Sequence, residues 1–198
     1  MNFYSVARAF VKILSYVFFP CKVVGDINEF PKDGGVVLCA NHLSFLDAIF
    51  LAISLKRQIR FVGKDKYAKS FPLKYVFKWV GAFAINPEKA DITAIKTCFK
   101  VVKKGEILGI FPEGTRVING KVSDPMPGAI MIADKTKTPI FYFRIIPSNG
   151  KKFRIFTKTY LYVGKAVTVD ELGVTNGKGE DYKNASIELM KRVYRLGE

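Results

Sequence analysis

Short apolar runs recur along this chain, separated by stretches in which apolar residues return every three or four positions. Short runs bounded by turn residues are typical of buried strands, and longer periodic stretches are typical of helices. Strands are predicted at residues 35–40, 59–62, 82–85, 106–111, 140–146 and 153–163. Helices are predicted at residues 45–55, 67–80, 92–104, 127–135 and 181–196. This alternation predicts an α/β fold with one domain, in which helices flank a mixed, mostly parallel central sheet.

Residues 1–20 predict an amphipathic helix that precedes this domain, which spans residues 21–198. Arg8, Lys12 and Ser15 would share one face of the helix. The other face would be apolar and carry Phe3, Val6, Ala7, Phe10, Leu14, Val17 and Phe18. The uncharged stretch after Lys12 is much shorter than the roughly 20 residues that span a bilayer. Two interpretations stay open: a helix lying in a membrane interface, or a helix packed on the core of the domain.

The charge of the chain restricts its partners. The 32 lysines and arginines exceed the 17 acidic residues and give a net charge of +15, which implies an anionic partner. A nucleic acid, an anionic lipid surface and a phosphorylated substrate all satisfy that condition. Residues 60–79 interleave lysines with aromatic rings, a pattern that suits single-stranded nucleic acid, a membrane interface or an ordinary solvated helix face.

The cysteines and the histidine do not indicate a metal site. The chain has three widely separated cysteines, Cys21, Cys39 and Cys98, and one histidine. Zinc sites in proteins use clustered pairs of such ligands. The sequence therefore predicts reduced, buried thiols in a cytosolic setting and no bound metal.

The single histidine, His42, stands in the segment 41–47, which reads NHLSFLD. Two side chains five positions apart on one continuous helix differ in direction by about 500°, so they would not meet. His42 can reach Asp47 only if it lies in a strand-to-helix turn, with Ser44 as the helix N-cap. Asp47 then caps the helix, holds one ring nitrogen of His42 so that the other can act as a base, or does both.

A second segment, 109–116, reads GIFPEGTR and predicts a strand that runs into a glycine turn. Arg116 offers forked donors that match phosphate oxygens, and Gly114 lets the backbone approach a ligand closely. Taken alone, this segment is more simply a surface turn with a solvated arginine.

The two segments together resemble the glycerolipid acyltransferase family. The motif NHx4D is followed about 65 residues later by FPEGTR, and the resemblance covers about residues 23–165. It implies an enzyme that moves a fatty acyl group from a thioester to the free hydroxyl of 1-acyl-glycerol-3-phosphate, giving phosphatidic acid in phospholipid synthesis. It also implies His42 as the general base and Asp47 as the carboxylate that orients it. The implied substrate-binding residues are Lys64, Glu113, Gly114, Thr115 and Arg116.

The same resemblance implies no cofactor, with acyl carrier protein or coenzyme A thioesters as donor substrates and a lysophospholipid as acceptor. It implies an anionic membrane surface as partner and no nucleic acid, at the cytoplasmic face of the cell membrane, with the protein peripheral or monotopic. Pro87 departs from the family, which usually carries an arginine at that position. The acceptor therefore stays open among 1-acyl-glycerol-3-phosphate, glycerol-3-phosphate, another lysophospholipid and an amino-acid lipid. A non-enzymatic protein that binds membranes or nucleic acid is the remaining alternative.

Overall fold

The structure is a computed structural model that describes residues 3–64, 71, 74–75, 79, 81–85, 92–117, 123–150 and 153–198. In this part of the chain the α-helices are α1 (Phe3–Phe18), α2 (Leu46–Ser54), α3 (Ile92–Lys103), α4 (Gly128–Thr136) and α5 (Gly179–Arg195). The strands are β1 (Cys21–Val24), β2 (Val36–Ala40), β3 (Ile59–Lys64), β4 (Phe83–Ile85), β5 (Ile107–Ile110), β6 (Ile140–Pro147) and β7 (Thr159–Val163). Short 3-10 helices span Ile27–Glu29 and Asp170–Leu172.

The strands form one sheet in the order β1-β7-β6-β2-β5-β3-β4. Only the β6–β7 pair is antiparallel among the described pairings. The predicted mixed, mostly parallel sheet is therefore confirmed. Strand β2 is buried along its whole length because helices cover both faces of the sheet. Helices α3, α4 and α5 pack on one face, and α1 and α2 pack on the other.

Most predicted elements lie where the apolar pattern places them, with ends that differ by a few residues. Strand β1 was not predicted, because its four residues form a strand only by pairing with β7 at the edge of the sheet. Strand β7 begins at Thr159 instead of residue 153, since the preceding segment turns and Phe156 has a φ of 64°. The helix predicted at 67–80 falls mostly outside the described residues.

The connections of β2 and β5 diverge at the carboxyl ends of these strands. The chain leaves β2 through α2 toward β3, and it leaves β5 toward α4 and β6. These two strands are neighbours and parallel, and the helices α2 and α4 lie on opposite faces of the sheet. In open α/β sheets, ligands bind where neighbouring connections diverge in this way.

Helix α1 turns polar residues toward the domain. The Nη1 of Arg8 donates hydrogen bonds to the carbonyl oxygens of Ile53 (3.3 Å) and Leu55 (2.8 Å), and Ser15 is buried. Among the described side chains of α1, the apolar Val11 packs against the core. The exposed side chains of α1 are mainly apolar and include Val6, Phe10, Ile13, Leu14, Val17 and Phe18. Among the described segments, no helix combines the length and hydropathy that a membrane span requires.

Candidate active site

His42 and Asp47 meet at the carboxyl end of β2. The Nδ1 of His42 lies 2.8 Å from Oδ2 of Asp47, and the side chain of Asp47 is fully buried. The same oxygen accepts the backbone N–H groups of Leu43 (2.6 Å) and Ser44 (2.7 Å). Burial raises the pKa of the Asp47 carboxyl, and these three hydrogen bonds oppose that rise. A turn between β2 and α2 thus brings together two side chains that a continuous helix would separate.

The start of α2 differs slightly from the prediction. The helix begins at Leu46, and Phe45, in αR conformation, precedes it without a capping side chain. Ser44 was predicted as the N-cap, and its hydroxyl does accept the backbone N–H of Leu46 at 3.3 Å. Asp47 accepts the N–H of Ser44, which is the return half of a capping box. Asp47 therefore caps the turn and holds the histidine at once.

The ring of His42 is held on a second side by Phe111. The two rings stack with centroids 4.1 Å apart and an interplanar angle of 14°, and Phe61 stacks on the far side of Phe111. A carboxylate only accepts hydrogen bonds, so the proton of the neutral ring lies on Nδ1. Within the described residues, Nε2 has no hydrogen-bond partner, and the side chain is 19% exposed. Nε2 can therefore accept a proton from a bound molecule.

The turn after β5 lies against the His42 segment. The N–H of Val117 donates to the carbonyl oxygen of His42 at 2.7 Å, which joins the two motifs through the backbone. The guanidinium of Arg116 lies over the ring of Phe45, 4.6 Å from its centroid. Gly114 has a φ of 65°, and a Cβ there would come within 3.0 Å of Met126. The backbone angle favours glycine at this turn, whereas the exposed end of the Met126 side chain could move aside.

Glu113 is buried, with 2% of its surface exposed, and both of its carboxylate oxygens accept hydrogen bonds. Oε2 accepts the backbone N–H of His42 at 2.7 Å, and Oε1 accepts the hydroxyl of Tyr194. Burial raises the pKa of the Glu113 carboxyl, while the hydrogen bonds to Tyr194 and His42 act against it. The structure thus places Glu113 behind His42, with both oxygens already engaged.

Asn41 fixes the end of β2 on its other side. Its Nδ2 donates to the carbonyl oxygen of Ile145 at 3.0 Å, and the N–H of Ile145 donates to its Oδ1 at 2.7 Å. This pair of hydrogen bonds extends the β2–β6 contact by one residue beyond Ala40. The backbone that carries His42 is therefore tied to strands on both sides.

The structure brings most of the predicted site residues together. His42, Asp47, Glu113, Gly114 and Arg116 form one group, and Thr115 is exposed in the same turn. Lys64 ends β3 at the same edge of the sheet, but its side chain lies outside what the structure describes. Pro87 also lies outside the described residues.

Sequence reasoning missed Tyr194 and the stacking role of Phe111. Phe111 precedes the turn residues and could have been suspected from the motif itself. Tyr194 is one of nine tyrosines, and no local pattern separates it from the others. In the described part of the chain no group of His, Cys, Asp or Glu side chains is placed to hold a metal ion, and the three cysteines are free.

The fold and the site define an α/β protein in which a histidine with an open ring nitrogen lies beside a turn that carries an arginine. Residues 22–146 match the protein family described as "Acyltransferase". A 1-acyl-sn-glycerol-3-phosphate acyltransferase of Bacillus subtilis is 33% identical over 70% of this chain and 69% of its own length. The chain belongs to the acyltransferase family.

Two further relatives extend the comparison. A chloroplastic 1-acyl-sn-glycerol-3-phosphate acyltransferase of Brassica napus is 29% identical over 68% of this chain, which corresponds to 40% of the plant protein. The crystal structure of the 1-acyl-sn-glycerophosphate acyltransferase PlsC of Thermotoga maritima matches 98% of this chain and 80% of its own, with a TM-score of 0.71. Since its sequence identity is 22%, this match bears on the fold alone.

Proposed function

We propose that this protein transfers a fatty acyl group from a thioester donor to the free hydroxyl of 1-acyl-glycerol-3-phosphate, which yields phosphatidic acid. The observation that carries the proposal is the His42–Asp47 pair, whose open Nε2 faces outward beside the turn that ends in Arg116. The activity named for the relative of Bacillus subtilis supports the same reaction.

In the proposed mechanism, Nε2 of His42 takes the proton of the acceptor hydroxyl as its oxygen attacks the thioester carbonyl carbon. The tetrahedral intermediate collapses, the carbon–sulfur bond breaks, and the leaving thiolate receives the proton from His42. Asp47 holds Nδ1–H and stabilises the imidazolium between the two proton transfers. The mechanism forms no acyl-enzyme and requires no cofactor, and the donor is an acyl carrier protein or coenzyme A thioester.

The phosphate of the acceptor would bind to Arg116, with the Gly114–Thr115 backbone close by and Lys64 at the same edge of the sheet. The contact of Arg116 with the ring of Phe45 supports this role, because it holds the guanidinium near the turn that carries His42. Because Pro87 stands where the family usually carries an arginine, glycerol-3-phosphate or another lysophospholipid is a second candidate acceptor.

An acyl-transfer assay on purified protein tests the proposal, crossing the two thioester donors with a panel of phosphorylated acceptors. We expect His42→Ala to lose about 10²–10⁴-fold in kcat, as removal of a general base does, with the fold intact by circular dichroism. Arg116→Ala should raise KM for the acceptor and leave KM for the donor unchanged. Full activity of folded His42→Ala would contradict the mechanism. A preference for another acceptor would show that 1-acyl-glycerol-3-phosphate is not the substrate.

We also propose that the protein binds the cytoplasmic face of the cell membrane through the exposed side of α1. The support is the orientation of α1, whose Arg8 and Ser15 face the domain while most of its described apolar side chains and Lys12 are exposed. Apolar side chains on such a helix can enter the boundary between headgroups and acyl chains, and the net charge of +15 favours anionic lipids.

Flotation with vesicles that contain anionic lipid tests this orientation. Ile13→Ser changes a residue of α1 that is 66% exposed, and Ile95→Ser, in α3, is the matched control at 42% exposure. We expect Ile13→Ser to reduce the bound fraction and Ile95→Ser to leave it unchanged. Equal binding by all three proteins would exclude α1 as the contact surface.

A further inference from the structure

We propose that Tyr194, near the end of the last helix, is a positioning residue for the acyl transfer: its hydroxyl holds Glu113, which in turn holds the backbone that carries His42. This inference rests on the proposed function, because it concerns the same site. The family match ends at residue 146, so Tyr194 lies outside the segment that the family defines.

The chain of contacts is short and partly buried, with the Glu113 carboxylate as its buried member. Tyr194 donates its hydroxyl to Oε1 of Glu113, and Oε2 of Glu113 accepts the N–H of His42 at 2.7 Å. Removing a donor from a buried carboxylate oxygen leaves that oxygen desolvated without compensation. The position of Glu113 is therefore set by Tyr194 on one side and by the His42 backbone on the other.

Tyr194 is itself held in place from β6. The guanidinium of Arg144 lies 5.7 Å from the centre of the Tyr194 ring, and its Nη1 donates to the carbonyl oxygen of Leu196 at 2.8 Å. These two contacts fix both the ring and the backbone just beyond it. The hydroxyl of Tyr194 is thus directed at Glu113 by a strand and a helix together.

Helix α5 also reaches the FPEGTR turn at a second point. The hydroxyl of Ser186 donates to the carbonyl oxygen of Met126 at 3.0 Å, and the N–H of Met126 donates to the carbonyl oxygen of Pro112 at 2.7 Å. The two points lie about two turns apart along the helix. Helix α5 therefore supports the turn at two points. Of these two contacts, the one made by Tyr194 lies nearer to His42, because Glu113 bonds both residues.

Loss of the Tyr194 hydroxyl would loosen the hold on His42. Burial raises the pKa of Glu113, and the Tyr194 hydrogen bond is the leading contribution that lowers it. The ionisable groups that face this carboxylate are His42, Asp47 and Tyr194, with Arg144 behind the tyrosine. Without the hydroxyl, Glu113 is protonated more easily and accepts the His42 N–H less strongly. The ring of His42 then shifts against Asp47, and a shift of about 1 Å can cost roughly 100-fold in rate.

The first test compares Tyr194→Phe with Tyr182→Phe. Both tyrosines belong to α5, and both donate to a carboxylate, but Tyr182 bonds Asp134 at 2.6 Å, outside the site. Tyr194→Phe keeps the ring and its contact with Arg144 and removes only the hydroxyl. We expect kcat to fall about tenfold with KM for donor and acceptor unchanged, whereas Tyr182→Phe keeps the kcat of the wild type.

The second test uses the fact that the chain has one histidine. Protein without a histidine tag, labelled with ¹⁵N-histidine, gives one backbone amide signal, that of the N–H bonded to Glu113. We expect this signal to shift in Tyr194→Phe, in the direction of a weaker hydrogen bond, and to stay in place in Tyr182→Phe. If Tyr194→Phe does not fold, Arg144→Gln, which removes the contacts that hold Tyr194 and leaves Glu113 in place, is measured in the same two ways with the same expected changes.

An unchanged amide signal together with an unchanged kcat in Tyr194→Phe overturns the inference, as does an equal loss of kcat in Tyr182→Phe. Failure of the proposed function is a separate result. In that case the wild-type protein transfers no acyl group with any donor and acceptor, and the amide signal still decides whether Tyr194 positions His42.

Discussion

Helix α5 bonds two carboxylates through tyrosine hydroxyls, and both belong to buried residues, but the charged groups beside them differ. Tyr182 bonds Asp134, whose carboxylate also lies 2.9 Å from Nζ of Lys137 and 3.5 Å from Nζ of Lys135. Tyr194 bonds Glu113, which lies inside the protein behind His42. The hydrogen bond from Tyr182 lowers the pKa of Asp134 to about 2, whereas burial raises the pKa of Glu113.

Under the proposed function, this difference separates a contact that stabilises the fold from a contact that positions a catalytic group. Asp134 sits among cations at the end of α4, where ionisation stabilises the fold. Burial disfavours the ionised form of Glu113, and such unfavourable placements are concentrated at functional sites. A tyrosine–carboxylate pair alone therefore says little about its role, and the surroundings of the carboxylate decide it.

The greatest loss of activity is expected for a substitution in the His42–Asp47 pair. Asp47→Asn keeps the shape of the side chain but removes the charge that stabilises the imidazolium, so kcat should fall about 10²–10⁴-fold. Asp134→Asn is the matched change on the structural side and should leave kcat unchanged. Steady-state kinetics on both variants measure the contrast, and a comparable loss in Asp134→Asn would contradict it.

The pH dependence of the free energy of unfolding should also distinguish Asp134 from Glu113. The folded pKa of Asp134, about 2, lies below its ordinary value of 3.8, so its stabilisation is complete above 3.8 and is lost as pH falls toward 2. Asp134→Asn should thus be less stable than the wild type by about 1 kcal/mol at neutral pH, and the deficit should disappear near the lower limit. Urea unfolding between these pH values measures it.

Glu113 should show the opposite dependence. Its folded pKa is raised above 4.5, so the wild type loses stability as pH rises from that value through the folded pKa. Glu113→Gln carries no such charge, and its free energy of unfolding relative to the wild type should increase over the same interval. The same urea series measures both variants, and slopes of equal sign would remove the distinction between the two carboxylates.

The weakest predicted effect is on the KM for the acceptor, and it concerns two cations that lie over aromatic rings. Arg116 lies 4.6 Å from the centre of the Phe45 ring at the site, and Lys135 lies 5.9 Å from that of Tyr182 outside it. Phe45→Leu should raise KM for the acceptor roughly 2–5-fold, the effect of losing about 0.5–1 kcal/mol of cation–π attraction. Lys135→Gln should leave that KM unchanged, and a rise in both variants would mean that the Phe45 contact is not specific to acceptor binding.

Much of the fold and part of the site could be predicted because the signals are local. Strand β2 reads as an unbroken apolar run since both of its faces are covered, and α3 shows its buried face at helical spacing. His42 and Asp47 are five residues apart, so one turn decides whether they meet. Strand β1 and the contact of Tyr194 with Glu113 could not be predicted, because each depends on a partner far away in the chain.

Local sequence patterns are sufficient to predict the alternation of strands and helices, the capped turn that pairs His42 with Asp47, and the polar groups that the FPEGTR segment offers. Three features appear only in the folded structure. The two motifs lie side by side, Glu113 accepts the N–H of His42 across 71 residues, and Tyr194 donates to Glu113 across 81 residues. The folded structure also decides which side of α1 faces the domain. Local patterns follow from backbone geometry over a few residues, whereas these contacts depend on the order of strands in the sheet and on the packing of α1 and α5 against it.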